Sequence, residues 1–118
     1  MKNAKEIGAV KVITADLGEA GANELRSMCD KAKEQGDNIV AVFAGVSKEK
    51  GTGSFACCVG KDALSHGAHA GNIVRQVAAV AGGSGGGKPD SAMAGAKDIS
   101  KISEALEKTA SIVEEMLK

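Results

Sequence analysis

The sequence has few aromatic residues and no excess of either charge. Phe43 and Phe55 are present, but tryptophan and tyrosine are absent. Proteins that bind single strands of nucleic acid by base stacking need aromatic platforms, so this class of binder is disfavoured. Lysine and arginine together number 15 and are balanced by 15 acidic residues. This balance argues against a strongly basic, sequence-independent nucleic-acid binder, although it permits a local contact.

Long apolar runs and a disulfide framework are also missing. No segment approaches the roughly 20 apolar residues that cross a membrane, and no apolar stretch follows the N-terminal lysines, so we expect neither membrane insertion nor a signal peptide. The three cysteines, Cys29, Cys57 and Cys58, are odd in number and show no CxxC spacing. We expect them to be reduced, buried thiols of a cytoplasmic protein and not catalytic groups.

The length of 118 residues predicts one domain with a core of its own. The pattern of apolar residues predicts the element order β-α-β-β-α-loop-α. The predicted strands are 9–15, 39–46 and 54–60, and the predicted helices are 22–35, 72–81 and 99–117. Elsewhere we expect a frayed lead-in at 1–8, a turn at 16–21 and an irregular segment at 61–70. Asn72 and Asp98 are the predicted N-caps of the last two helices.

The order of these elements predicts an α/β fold built on a mixed sheet. A strand–helix–strand start implies a right-handed parallel crossover, and the following hairpin adds an antiparallel strand. Helices are expected to pack on this sheet. The long C-terminal helix carries an apolar stripe, and the sequence leaves open whether it docks on the sheet or stands off as a surface for self-association.

The glycine-rich segment 82–97, predicted to be a loop, is the most informative part of the chain. Glycine occupies five of the six positions 82–87. Because glycine is costly to order, this density predicts a close backbone approach or positive φ, and consecutive N–H groups there could hold an anion beside Lys88. The segment fits the phosphate-loop spacing GxxxxGK. However, Pro89 replaces the hydroxyl residue that holds magnesium, and the segment follows a helix, so we do not expect a nucleotidase.

The run GGSGGGKPD at 82–90, continuing through Ala92, Ala94 and Gly95, resembles the signature of the DHHA1 domain. The similarity is greatest to the form at the C-terminus of bacterial-type alanyl-tRNA synthetases. It extends upstream through the AGNIV run at 70–74, residues 59–62 and the strand at 39–46, which follow one another in the same order as in that domain. The resemblance covers about residues 9–117. Ser91 stands where that form usually has an apolar residue, and Ala96 replaces the second glycine of a closing pair, which puts a positive φ there in doubt.

The resemblance implies a non-catalytic tRNA-binding module of an alanyl-tRNA synthetase. Such a module contacts the elbow of the tRNA, expected here to be tRNA(Ala), and links aminoacylation with editing in the rest of the enzyme. No cofactor, metal or membrane partner is expected. The predicted tRNA-binding residues are Gly83, Ser84, Gly85, Gly86, Gly87, Lys88, Lys61 and Arg75.

Two alternatives remain open at this point. A DHHA1 domain can bind single-stranded nucleic acid or oligonucleotides for a neighbouring phosphoesterase. Alternatively, the glycine loop is purely structural and the last helix mediates self-association, as in a homodimer. His66 and His69 are three residues apart, a spacing at which a helix could aim both at one metal. Gly67 weakens a helix there, so we expect two exposed loop histidines. Asp90 is expected to tie the loop through backbone N–H groups.

Overall fold

The computed structural model describes residues 4–7, 10–19, 21–34, 36–47, 51–83, 85–87 and 90–117. The elements are β1 (Ala4–Ile7), β2 (Val10–Glu19), α1 (Ala22–Glu34), β3 (Ile39–Ser47), β4 (Thr52–Val59), α2 (Lys61–Ser65), α3 (Ala70–Val80), β5 (Gly85–Gly87), β6 (Ser91–Ala96) and α4 (Ile102–Leu117). A 3₁₀ turn at Ile99–Lys101 leads into α4. Among the described helices, none is both long and apolar enough to cross a membrane.

One mixed six-stranded sheet organises the fold, with the strand order β1-β2-β3-β4-β6-β5. β2 and β3 run parallel and are connected through α1, which confirms the predicted crossover. β3 and β4 form the predicted antiparallel hairpin, and the other neighbouring strands are also antiparallel. The predicted α/β fold class is therefore confirmed. β1 and β5 lie at opposite edges of the sheet.

Helices cover both faces of this sheet. α1 packs on one face over a small apolar cluster that includes Leu25 and Phe43. α3 and α4 pack on the other face over a larger cluster that includes Phe55, Ile73 and Val113. The long C-terminal helix thus docks on the sheet, which decides the question that its apolar stripe left open.

Three predicted segments differ from the structure. Residues 4–7, expected to be frayed, form β1 and pair with β2. The predicted turn after residue 15 lies largely within β2: Gly18 has a φ of 70° and donates its N–H to the Asp16 carboxylate at 2.9 Å, where the pairing with β3 becomes irregular. The turn signal was genuine, but it produces a bulge inside a strand. Residues 61–65 form the short helix α2, too short for a periodic pattern to reveal.

One of the two predicted helix caps is wrong. α3 begins at Ala70, and its N-cap is His69, whose ring Nδ1 accepts a hydrogen bond from the Asn72 N–H at 3.2 Å. The sequence favours Asn72 because asparagine is a common N-cap. A histidine ring can cap a helix only when its Nδ1 is unprotonated, and it is therefore a less common cap. Asp98 does act as a cap and accepts from the Ser100 N–H at 3.1 Å, although the turn it begins is 3₁₀ and precedes α4.

Candidate functional site

The glycine-rich segment contains a β-hairpin and not the predicted loop. β5 pairs antiparallel with β6, with Gly85 opposite Ala94 and Gly87 opposite Ala92, and β6 continues the sheet by pairing with β4. The sequence did not indicate strands, because glycine and alanine have low strand propensity. Pairing with the neighbouring strands fixes this backbone instead.

A close approach of backbones explains the glycines of β5. A β-carbon on Gly85 would lie 2.4 Å from the Ala94 Cα, and one on Gly87 would lie 3.0 Å from the Ala92 Cα. α3 also lies against β5, since a β-carbon on Gly71 would come within 2.8 Å of the Gly87 carbonyl oxygen. These distances favour a structural role for the glycines. Because β5 consists of glycine alone, no side chain shields its backbone.

Gly82 and Gly83 end α3. The Gly82 N–H donates to the Ala79 carbonyl at 3.2 Å, and the Gly83 N–H donates to the Ala78 carbonyl at 2.8 Å. With a φ of 71° at Gly82, this pattern is a Schellman motif, in which glycine occupies the left-handed position after the helix. The Gly83 amide is therefore used within the protein and does not serve the anion contact predicted for it.

β5 keeps backbone hydrogen-bonding groups on its outer side. An edge strand pairs on one side, so some of its N–H and C=O groups point away from the sheet. Gly85 and Gly87 are exposed, and among the described strands none lies beyond them. Among the predicted contact residues that the structure describes, the amides of β5 are therefore the candidates for contact with a ligand. Two further predicted contacts, Ser84 and Lys88, lie outside the described residues.

The structure places Lys61 in the same surface cavity as Asp90. Lys61 is exposed at the first position of α2. The start of this helix is held by the Asp37 carbonyl, which accepts from the Asp62 N–H at 2.8 Å and the Ala63 N–H at 3.1 Å. Lys61 lines a surface cavity of about 160 Å³ together with Asp90, the residue that enters β6.

Asp90 ties the hairpin to two other elements. Its carbonyl accepts from the Val59 N–H at 2.9 Å, and its carboxylate lies 3.6 Å from the Lys33 Nζ on α1. Both side chains are partly exposed, so this ion pair contributes about 0–1 kcal/mol. These two contacts tie the entry of β6 to β4 and to α1. The predicted tie to the backbone N–H groups of the loop stays a prediction, because residues 88 and 89 lie outside the described residues. Lys33 was missed, because only the fold brings it to Asp90.

Arg75 lies on α3, the helix that packs against β5. It is exposed on α3, and its guanidinium donates to the Asn72 side-chain oxygen. Residues four apart share one side of a helix, so Arg75 lies on the side of α3 that carries Gly71. Because Gly71 contacts Gly87, Arg75 flanks β5 from α3.

The two histidines have separate structural roles. His69 caps α3, whereas His66 Nδ1 lies 2.7 Å from the Asp62 carbonyl oxygen and 4.0 Å from its carboxylate. α2 ends before Gly67, so the histidines do not share one helix. Within the described part of the chain, no group of three or more histidine, cysteine or acidic side chains could hold a metal ion.

The two departures from the DHHA1 signature fit the strand β6. Ala96 is buried opposite Gly53, and no described residue other than glycine has a positive φ. The second glycine of the usual closing pair is therefore replaced at an ordinary extended position. Ser91 is exposed at the first position of β6.

Comparison with known proteins agrees with the resemblance seen in the sequence. The DHHA1 domain family matches residues 9–115. The alanine–tRNA ligase of Oceanobacillus iheyensis is 45% identical over 103 residues, which cover 87% of this chain. That of Acetivibrio thermocellus is 40% identical over 118 residues, which cover 99% of this chain. The chain spans 12% and 13% of the length of these two relatives.

A solved structure shares the fold as well. The crystal structure of the C-Ala domain from Aquifex aeolicus alanyl-tRNA synthetase superposes with a TM-score of 0.84 at 25% identity, covering 95% of this chain and 98% of that one. The matched signature, the curated relatives and the shared topology point the same way. The chain belongs to the DHHA1 domain family and has the fold of the C-terminal C-Ala domain of alanyl-tRNA synthetase.

Proposed function

We propose that this domain binds the elbow of tRNA, with tRNA(Ala) as its natural ligand, and serves the rest of an alanyl-tRNA synthetase in cis. The observation that carries the proposal is the glycine-only edge strand β5. Two exposed cations accompany it: Arg75 on α3, which packs against β5, and Lys61 in the cavity that Asp90 lines. A strand without side chains lets its backbone N–H and C=O groups approach a folded surface closely. RNA offers phosphates and 2′-hydroxyls to such groups, and the 2′-hydroxyl both donates and accepts hydrogen bonds.

The charge and composition of the domain favour a small number of contacts. The formal net charge is zero and aromatic residues make up 2% of the chain. Recognition then depends on RNA shape and backbone and not on stacking or a broad basic surface. Binding by the isolated domain is weak, but attachment to the rest of a synthetase raises the effective concentration of this second contact. The same tRNA is thereby retained while aminoacylation and editing act on it.

The domain itself is a binding module without catalysis. The proposed contact residues Lys61 and Arg75 are cations, and neither is a nucleophile paired with a base. Any reaction on tRNA would therefore belong to other parts of a synthetase.

Charge-removing variants test which end of the molecule contacts RNA. We expect Lys61→Ala and Arg75→Ala each to weaken binding to labelled tRNA(Ala) several-fold and to reduce the salt dependence by about one ion. Lys101→Ala is the matched control, because this substitution removes the same charge from an exposed residue. Lys101 lies in the 3₁₀ turn beside the C-terminal end of α3. Lys88→Ala is measured beside them. Equal weakening by Lys101→Ala would contradict the proposed surface.

The identity of the RNA is tested in the same titration. tRNA(Ala), an unrelated tRNA and a single-stranded oligonucleotide are compared at low salt, with the fluorophore on the RNA because the protein has no tryptophan or tyrosine. Best binding of folded tRNA supports the proposal. Preference for the single strand would support the phosphoesterase-type alternative. No binding together with a concentration-dependent mass in light scattering would support self-association.

A further inference from the structure

Two cysteine thiols meet between α1 and β4, on the sheet face away from α3. Cys29 and Cys58 are 5% and 1% exposed. In its thiol form Cys58 donates to the Cys29 carbonyl at 3.4 Å, and both cysteines line the same cavity. The adjacent Cys57 belongs to the cluster under α3 and α4, because successive strand residues face opposite sides. Only Cys58 of this adjacent pair therefore faces Cys29.

A surface cavity of about 140 Å³ opens beside the two thiols. α1 and the neighbouring strand β6 form its walls, with Arg26, Asp30 and Lys33 on α1 and Ser91 and Met93 on β6. Arg26 Nε donates to the Met93 sulfur at 3.3 Å. Since a water molecule occupies about 30 Å³ in the liquid, the cavity has room for a molecule of a few heavy atoms beside Cys29 and Cys58.

The two thiols are electrostatically unequal. The hydrogen bond from Cys29 and the nearby Lys33 ammonium lower the pKa of Cys58, although burial and Asp30 oppose this shift. The same hydrogen bond and burial raise the pKa of Cys29. Burial raises the pKa of Cys57, which has no such partner in the cavity. The directions of these shifts favour the thiolate at Cys58 over the thiolate at Cys29.

We propose that Cys58 and Cys29 form an oxidation site for a small hydroperoxide, which converts them into a disulfide joining β4 to α1. The proposal rests on the contact between the thiols, the cavity that reaches them and the cationic groups in its wall. Thiolates are the reactive form of cysteine and are favoured beside lysine and arginine. Oxidation-sensitive cysteines characteristically have a second cysteine within reach. This site is independent of RNA binding.

The chemistry needs no reagent besides the peroxide. With hydrogen peroxide as the oxidant, the Cys58 thiolate attacks one peroxide oxygen, the O–O bond breaks, and hydroxide leaves and is protonated to water, so that a sulfenic acid forms. The Cys29 sulfur, after losing its proton, attacks the Cys58 sulfur. The S–O bond then breaks, a second water leaves and the disulfide forms. Two thiols lose two electrons in total, and the peroxide gains them.

Hydrogen peroxide is the probe, applied to the folded protein and analysed by mass spectrometry. We expect the intact mass to fall by two hydrogen atoms and a reducible link to appear between tryptic peptides 27–31 and 51–61, which carry Cys29 and the Cys57–Cys58 pair. Cys57→Ala is the matched control and should keep the link, which assigns it to Cys58. If the disulfide forms only after urea has unfolded the protein, the proposal is overturned. This test uses the native sequence and does not depend on whether a variant folds.

The remaining variants separate the two roles. Cys29→Ala should stop the reaction at a sulfenic acid on Cys58, detected as a dimedone adduct. Cys58→Ala should slow peroxide consumption by the folded protein at least about tenfold. Circular dichroism checks that each variant is folded. A link that survives in Cys58→Ala, a link that disappears in Cys57→Ala, or a disulfide between two protein molecules would each contradict the site.

Discussion

At the scale of single residues, the hairpin contains glycines that need to be glycine and one that does not. Gly85 and Gly95 lie on the paired strands β5 and β6. A β-carbon on Gly85 would lie 2.4 Å from the Ala94 Cα, whereas nothing lies within 4 Å of one on Gly95. The sequence presents both as members of one glycine-rich run. The difference depends on the distance between backbones, which is a property of the fold.

The pair gives a direct test of this steric account. Gly85→Ala should lower the free energy of unfolding by about 1–3 kcal/mol, because the strands must shift to admit the methyl group. Gly95→Ala should be neutral or stabilising by up to about 1 kcal/mol, since alanine has less freedom in the unfolded chain. Urea unfolding followed by far-ultraviolet circular dichroism measures both. Similar losses at the two positions would contradict the close approach of β5 to β6.

At the scale of elements, periodicity succeeded where an element is long and apolar. It located α1, β3, β4 and α4, whose buried faces repeat at helical or strand spacing. It missed β1 and α2, which are too short for a pattern, and β5 and β6, which have almost no large side chains. Such segments are held by their neighbours, so their own residues carry little information about their structure.

The end of α3 depends on one left-handed residue. Gly82 has a φ of 71°, and a β-carbon there would have 4.0 Å to its nearest neighbour. Backbone strain without crowding is therefore expected, and Gly82→Ala should cost about 1 kcal/mol of unfolding free energy. Gly82→Asn is the control and should cost less, because asparagine tolerates this conformation better. Equal losses for the two variants, measured by urea unfolding, would contradict a conformational cause.

The start of α4 should respond to acid through Asp98. Hydrogen bonds from the Ser100 hydroxyl and N–H lower the pKa of Asp98 in the folded state. A carboxylate with a lowered pKa stabilises the fold above its ordinary pKa, and this contribution is lost as the pH falls through the folded-state value. Asp98→Ala should therefore lower the urea midpoint at pH 6, with the difference from the native protein shrinking toward pH 3. A difference that stays constant with pH would exclude the ionised cap.

At the scale of the whole molecule, the sequence could indicate the family but not how the fold arranges the residues of the candidate site. It singled out Lys61 and Arg75 as cations near the glycine segment; the fold places Lys61 in a cavity with Asp90 and Arg75 on the helix that packs against β5. It could not find Lys33, whose contact with Asp90 joins distant parts of the chain. Nor could it foresee that the Gly83 amide would be used to end α3.

The balanced charge predicts a shallow salt dependence for RNA binding. Each phosphate contact contributes about 0.7–0.9 to the slope of log K against log salt concentration. With the few cations that surround β5, the slope should be no steeper than about −3. A titration of labelled tRNA over a series of salt concentrations measures it. A slope of about −6 or steeper would require a basic surface much larger than Lys61, Lys88 and Arg75 provide.

The strand β5 also has a consequence for how the sheet opens. It has three residues, lies at an edge and buries no side chain of its own. Local opening costs least where little apolar surface and few hydrogen bonds are lost. The amide hydrogens of Gly85–Gly87 should therefore exchange with solvent well before those of β3 and β4, which lie at the centre of the sheet. A ligand that accepts hydrogen bonds from these amides would slow their exchange. Slower hydrogen exchange at Gly85–Gly87 would therefore show that a ligand is bound to β5.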